Sequence, residues 1–379
     1  MKKFNFIIAI FVLLTCSCSP SLQKEASPAN VVDIDISKCE DLDAGKYFDE
    51  IRYVALETTT DALIGEFTKI YLTDGYIVVF DQKSMAVFLF GADGKFIRKI
   101  GEKGEGPDEY LFINDIQFDK EQMLIFAYER FRNCIYTYDL EGNLLDRSQK
   151  AVIHFNSFFK TKEGVWVYSC FSKDNQEHYN LTLLSADLQN IEKQYFPQSE
   201  FVNVTFSSTF VCDGHGRVFF YYPSSNIIHE IIGTDVEPFL QVDFGDATLP
   251  YDRIVKTRNM EDYDKLLSAT DYLGNINRCF VNRDRLFFSF SGVGLGTSNS
   301  YNCYYDLNSG ERNVFSNPFM QPAKYPISTN LLYATDTILV YPVYPSIFSE
   351  DSFVELSKQL STDIQFDSNP ILAICPLMK

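Results

Sequence analysis

"GYIVVFDQKSMAVFLFGADGKFIRKI", residues 75–100, reads as three strands in succession. Ile77–Phe80 is a continuous apolar run, a short polar link follows, and Ala86–Phe90 is a second run. Asp93-Gly94 then turns the chain, because glycine reaches positive φ without steric penalty, and Lys95–Ile100 supplies the third strand. The pattern returns 48 residues on, in "MLIFAYERFRNCIYTYDLEGNLLDRS" (123–148). There Ile125 takes the place of Ile77, Tyr138 of Phe90 and Gly142 of Gly94. Apolar residues alternate or run continuously and do not recur at three and four, so these segments are strands, not helices. A fixed period of this size is that of four-stranded propeller blades.

Looser copies follow. They are "GVWVYSCF…YNLTLLSADLQNIEKQYF" (164–196), "GRVFFYYPSSNIIHEIIGTDVEPFLQVDF" (216–244) and "DRLFFSFSG…YNCYYDLNSGERNVF" (284–315). "DTILVYPVY" (336–344) opens a sixth copy, and "NPILAICPL" (369–377) matches its third strand. That copy lacks a fourth strand, while "DEIRYVALET" (49–58) is an orphan strand ahead of the first copy. An open ring would expose sheet edges. The expected fold is therefore an all-β, six-bladed β-propeller, closed by an N-terminal strand (Ile51–Leu56) that pairs with Ile371–Ile374 and completes the last blade.

"FIRKIGEKGEGPDEY" (96–110) resembles the G-x-x-G-x-G-P-x-E-[FY] linker of NHL-type propeller repeats. Together with "YVALETTTDALIGEFTKI" (53–70) and "NPILAI" (369–374), it makes the chain similar to the six-bladed β-propeller lipoproteins of Gram-negative bacteria. That resemblance implies fold and envelope location, and no activity. In the linker, Gly101, Gly104 and Gly106 let the chain return from an outer strand to the next inner strand, and Pro107 fixes φ. A phosphate loop would need a following helix and a terminal lysine or hydroxyl. Here Glu102, Glu105, Asp108 and Glu109 would repel an anion.

The 379 residues are 46% hydrophobic and 15% aromatic, with a formal net charge of −18. Such an acidic chain is a poor partner for nucleic acid or an anionic membrane surface. The N-terminus, "MKKFNFIIAIFVLLTCSCSP", has two lysines, an apolar run too short to span a bilayer, then small residues and cysteines. It looks like a lipoprotein signal, with Cys18 as the lipidated residue and Cys16 as the alternative. The expected organisation is a signal peptide at 1–18, a tether and lead-in at 19–48 and the propeller at 49–379. The expected location is the cell envelope, anchored through lipid to the outer membrane, on its periplasmic side or surface-exposed. The later cysteines (39, 134, 170, 212, 279, 303 and 375) have no CxxC pair. Most sit in or beside apolar runs and read as buried free thiols.

His154, His178, His215 and His229 are the only histidines, and none lies in a nucleophile motif. "SGVGLGTSN" (291–299) lies between two strands, which removes the dinucleotide-binding context. Strand order places short turns on one face and every long insertion on the other, where binding is expected. Two insertions read as helical: 251–270, and 352–360 with a capping box from Ser352 to Glu355. Tyr110, Tyr222, Tyr341 and Tyr344 offer stacking faces, and Arg130 and Arg132 offer directional donors, for a glycan, a peptide or an envelope protein partner. No cofactor is expected under that reading. The alternative is a hydrolase or lyase with calcium in the central mouth. In lactonase-type propellers residues like Glu66, Asn114, Asn156 and Asn275 hold such an ion, and Asp115 could contribute.

Overall fold

The computed structural model describes residues 28, 30–169, 179–197, 209–222, 225–254, 256–257, 259–268, 271–293, 300–320, 325–360 and 362–378. Cys16, Cys18, Cys170, His178 and residues 294–299 lie outside the described residues.

Strand β1 (Asn30–Asp33) and helix α1 (Ala44–Tyr47) precede β2 (Arg52–Ala55). Blade one is β3 (Lys69–Leu72), β4 (Tyr76–Asp81), β5 (Ala86–Gly91) and β6 (Phe96–Ile100). Blade two is β7 (Ile113–Asp119), β8 (Leu124–Glu129), β9 (Cys134–Tyr138) and β10 (Leu144–Arg147). Blade three is β11 (Ser157–Lys160), β12 (Val165–Tyr168), β13 (Tyr179–Leu184) and β14 (Ile191–Pro197). Blade four is β15 (Phe210–Cys212), β16 (Val218–Phe220), β17 (Ile227–Ile232) and β18 (Asp235–Asp243). Helices α2 (Tyr251–Ile254) and α3 (Met260–Leu267) lead to blade five: β19 (Tyr272–Asn282), β20 (Arg285–Val293), β21 (Ser300–Asp306) and β22 (Arg312–Phe315). Blade six is β23 (Tyr333–Ala334), β24 (Ile338–Val343), helix α4 (Glu350–Leu360) and β25 (Ile371–Pro376).

These six small sheets form a six-bladed β-propeller. The ring closes as expected: β2 is the outer strand of blade six, antiparallel to β25, with Tyr53 opposite Ala373 and Val54 opposite Leu372. Asn369 locks the junction. Its side-chain amide donates to the Glu57 carbonyl at 2.9 Å, and its oxygen accepts from the Ile64 N–H at 2.9 Å.

Apolar side chains fill the wedges between adjacent blades. Val78, Leu89, Ile116 and Tyr136 pack between blades one and two, and Phe219, Leu240, Phe288 and Cys303 between blades four and five. This explains the aromatic content, since each wedge needs wide, flat side chains with few rotors. Cys134, Cys279, Cys303 and Cys375 are buried free thiols, whereas Cys212, at the end of β15, is exposed.

The lead-in goes beyond the orphan strand. β1 adds a fifth strand to blade four, parallel to β18, with Asn30 opposite Leu240 and Asp33 opposite Asp243. The Glu40 N–H then donates to Val314 O (2.8 Å) on blade five, and the Asp49 N–H to Pro376 O (2.9 Å) on blade six. Val32, Ile34, Leu42 and Phe48 are buried along this path. The segment is a strap across the last three blades.

Both helical insertions form. Asn259 caps α3 through its side-chain oxygen, which accepts from the Asp262 N–H at 2.8 Å. Tyr263 and Leu266 are buried against Leu249 and Ile254, so the helix lies over its own blade. α4 begins at Glu350, two residues ahead of the expected cap, which leaves Ser352 inside the helix. Leu356 is buried, with Phe353 and Leu360 packed beside it.

Candidate functional site

The innermost strand of blade five is irregular. β19 pairs with β20 through Gly274–Ser291, Ile276–Phe290 and Arg278–Ser289, so the register shifts twice within five residues. Asn275 and Asn277 are the extra residues. Bulges of this kind re-aim side chains and gather at ligand sites. Here they turn Asn277 and Arg278 into a cleft between blades five and six, about 750 Å³ in volume.

Most of the cleft wall is amides and hydroxyls: Asn277, Ser289 and Asn302 from blade five, and Asn317, Thr329 and Asn330 from the approach to blade six, with Ile36 and Cys39 of the strap beside them. These groups are partly pre-set. Asn302 Nδ2 donates to Thr329 Oγ1 at 3.2 Å, Thr329 Oγ1 to Asn317 O at 3.0 Å, and Asn277 Nδ2 to Ser291 Oγ at 3.2 Å. Tyr301 is buried in one wall and stacks on Phe290, with ring centroids 5.2 Å apart.

Arg278 is the one charged side chain among the residues lining the cleft. Its Nη1 donates to Leu331 O at 3.1 Å, on blade six, and its Nη2 to Phe67 O at 3.3 Å, on blade one. The guanidinium thus spans the axial mouth. Burial pulls its pKa down, and Tyr221, Tyr344 and Glu66 oppose that shift. A small adjoining pocket of about 30 Å³ shares Arg278, Ser289, Asn302 and Thr329 with the cleft. That is room for about one water molecule.

The rest of the axis is closed by polar contacts between blades. Lys69 Nζ lies 2.6 Å from Asp115 Oδ1, and Asp115 Oδ2 accepts from the Phe158 N–H at 3.0 Å. Ser157 Oγ and Thr209 Oγ1 are 2.6 Å apart. Burial raises the Asp115 pKa to about 6, against the pull of Lys69.

The residues expected to bind ligand scatter. Tyr110, Tyr222 and Tyr341 are buried in the wedges, because a propeller's wedge core consumes the aromatic faces that the sequence reading placed on the surface. Tyr344 is half-buried at the mouth, near Arg278 and Glu66. Arg130 is exposed, with Nη1 3.5 Å from Asn114 Oδ1. Arg132 holds the glycine-rich linker: Nη1 donates to Glu109 O (2.5 Å) and Nη2 to Gly106 O (3.1 Å). The linker also curls on itself, with Gly104 N–H donating to Tyr110 O at 2.9 Å and Gly106 N–H to the Glu109 carboxylate at 2.8 Å. It is architecture.

Of the residues considered for calcium, Glu66 is exposed, while Asn114 and Asn156 are buried. Asn114 Nδ2 donates to Asn156 O at 2.5 Å. The Asn275 side chain lies outside what is described. Among the described residues, no group of three His, Cys, Asp or Glu side chains is gathered for a metal. Sequence reasoning named Asn275 for the mouth but missed Arg278, Asn277 and Asn302. The one available signal was the alternating asparagine of "GNINR" (274–278).

Ring, strap and cleft together define a closed propeller with a polar interblade cleft on its loop-bearing face. The chain belongs to the family described as DUF4934, a domain of unknown function, whose model matches residues 29–376. No curated protein matches it in sequence. Among solved structures it is similar to a Bacteroides fragilis protein taken to be exported, at 17% identity and a TM-score of 0.73, covering 92% of this chain and all of the other. It is also similar to a DUF4221 family member from Bacteroides vulgatus, at 8% identity and a TM-score of 0.56, covering 87% of this chain and 96% of that one. These likenesses are of fold.

Proposed function

We propose that the protein is a lipid-anchored module of the cell envelope that binds a glycan in the cleft between blades five and six. The lining of that cleft carries the reading. Amides and hydroxyls at fixed spacing, with the Tyr301 ring in one wall, suit a ligand made of hydroxyl groups. The "TCSCSP" stretch ending at Pro20, the likeness to an exported protein and the resemblance to envelope lipoproteins support the location. Cys18 carries the lipid. A peptide or an envelope protein is the other class of partner the same face could take.

The test is a glycan array probed with the detergent-solubilised full chain. Binding should appear for one glycan class and fall at least tenfold in Asn330→Trp, which fills the cleft from an exposed position. Binding unchanged by that substitution would place the site elsewhere. The competing reading, a calcium-dependent hydrolase or lyase at the axial mouth, would show stoichiometric calcium in the pure protein and an activity lost on chelation.

A further inference from the structure

We infer that the glycan is acidic and that Arg278 reads its carboxylate; this rests on the cleft being the binding site. A half-buried guanidinium costs free energy unless its donors and its charge are both met. The donors are met in part. Two of the five N–H groups of arginine go to Leu331 O and Phe67 O, which leaves three. The charge is met less well: the Glu66 carboxylate acts on it electrostatically, but none of the ion pairs among the described residues includes Arg278. The acids at the mouth include Glu66, an exposed side chain on the approach to blade one. The two carbonyl contacts fix the plane of the fork, so a carboxylate entering the cleft meets donors already oriented for it. Ser289, paired with Arg278 across the strands, lines the same floor and adds a hydroxyl donor.

The rest of the molecule makes this selective. A chain of net charge −18 repels anions over most of its surface, and the cleft lining carries a single charge of the opposite sign. A neutral glycan would leave that cation desolvated and unpaired, whereas a uronic acid would neutralise it. An acidic peptide shares the carboxylate but lacks the hydroxyls that the Asn, Ser and Thr side chains would read.

The experiment compares trigalacturonate with its fully methyl-esterified counterpart, in which each carboxylate charge is replaced by a neutral methyl ester on the same sugar, on the full chain by calorimetry. An array of neutral glycans and one of acidic peptides run alongside. The acid should bind at least tenfold more tightly than the ester. Arg278→Gln should bring the two within about threefold, and Arg278→Lys should keep a preference for the acid at reduced affinity. Thermal melts of both variants check that the ring still closes. Equal binding of acid and ester by the wild type, or a preference that survives Arg278→Gln, overturns the inference. Neutral glycans alone binding would spare the cleft and sink the role of Arg278. Acidic peptides binding in place of the glycan would reassign the partner class. No binding to any probe would sink the cleft reading itself, and the inference with it.

Discussion

His229 lies in β17, 2% exposed, with the Phe196 ring centroid 4.4 Å away and that of Tyr222 at 6.2 Å. Burial holds its pKa near 3, far below the ordinary 6.5. Below pH 6.5 the unfolded chain therefore binds a proton that the folded protein refuses. The stability this neutral imidazole contributes is present above pH 6.5 and is lost as the pH falls. Asp115 acts with the opposite sign. Its folded pKa of about 6 exceeds the ordinary 3.8, so its contribution is present below pH 3.8 and is lost as pH rises through 6. Comparing wild type with His229→Phe isolates the imidazole, because Asp115 is common to both. In urea titrations the stability gap should widen in favour of the variant as pH drops from 7, by about 2 kcal/mol at pH 5. A gap independent of pH would mean that His229 does not protonate on unfolding.

At the scale of elements, the closure by β2 depends on a glycine in another blade. Gly94 turns β5 into β6 at φ +86°, and a Cβ there would meet Ala55 O, at the end of β2, at 2.0 Å. The Glu57 N–H donates to Gly94 O at 2.8 Å across the same contact. Gly216 has nearly the same φ, +83°, with nothing within 4 Å of a Cβ. Gly216→Ala should therefore cost about 1 kcal/mol of backbone strain. Gly94→Ala should cost about 3 kcal/mol or more, because it also pushes on the closing strand. Equal costs by chemical denaturation would show that the closure tolerates the displacement. What was legible in the sequence follows the same division between local and distant. The hairpins were readable because Asp93-Gly94 and Glu141-Gly142 act within a few residues of the strands they join. The pairing of β2 with β25 was readable from a missing strand and an orphan one. β1 was not, since "NVVD" is four residues long and pairs in parallel with a strand some 210 positions away, without a turn to announce it. The cleft was hidden for a related reason. Two register shifts decide where Asn277 and Arg278 point, and bulges leave little mark in composition. Tyr110, Tyr222 and Tyr341 misled because a tyrosine in a wedge core and one on a binding face look alike in sequence.

At the scale of the whole molecule, β1 sets which way an anchored propeller faces. β18 runs from the short turn at Gly233 and Thr234 towards the long linker that carries α2 and α3. β1 runs parallel to it, so the chain enters Asn30 from the short-turn side. From Cys18 to Asn30 is twelve residues, a reach of at most about 40 Å. A lipid on Cys18 would then hold the short-turn face towards the bilayer and leave the cleft pointing away, open to a large ligand. The excess of acidic side chains would keep such a body off an anionic surface, so under the lipid-anchor proposal the tether and not the face would make the attachment. Two labelling sites test this on lipidated full chain in vesicles, with Cys39 and Cys212 replaced by serine. Asn308→Cys lies in the short turn between β21 and β22, and Phe366→Cys lies in the long link before β25, where Phe366 is 66% exposed. Energy transfer to an acceptor lipid should be stronger from position 308 than from 366. Equal or reversed transfer would refute the orientation. The anchor is checked separately: Cys18→Ala should leave the vesicles, whereas release by Cys16→Ala in its place would move the lipid two residues upstream and shift the reach only slightly, leaving the orientation argument to stand on β1.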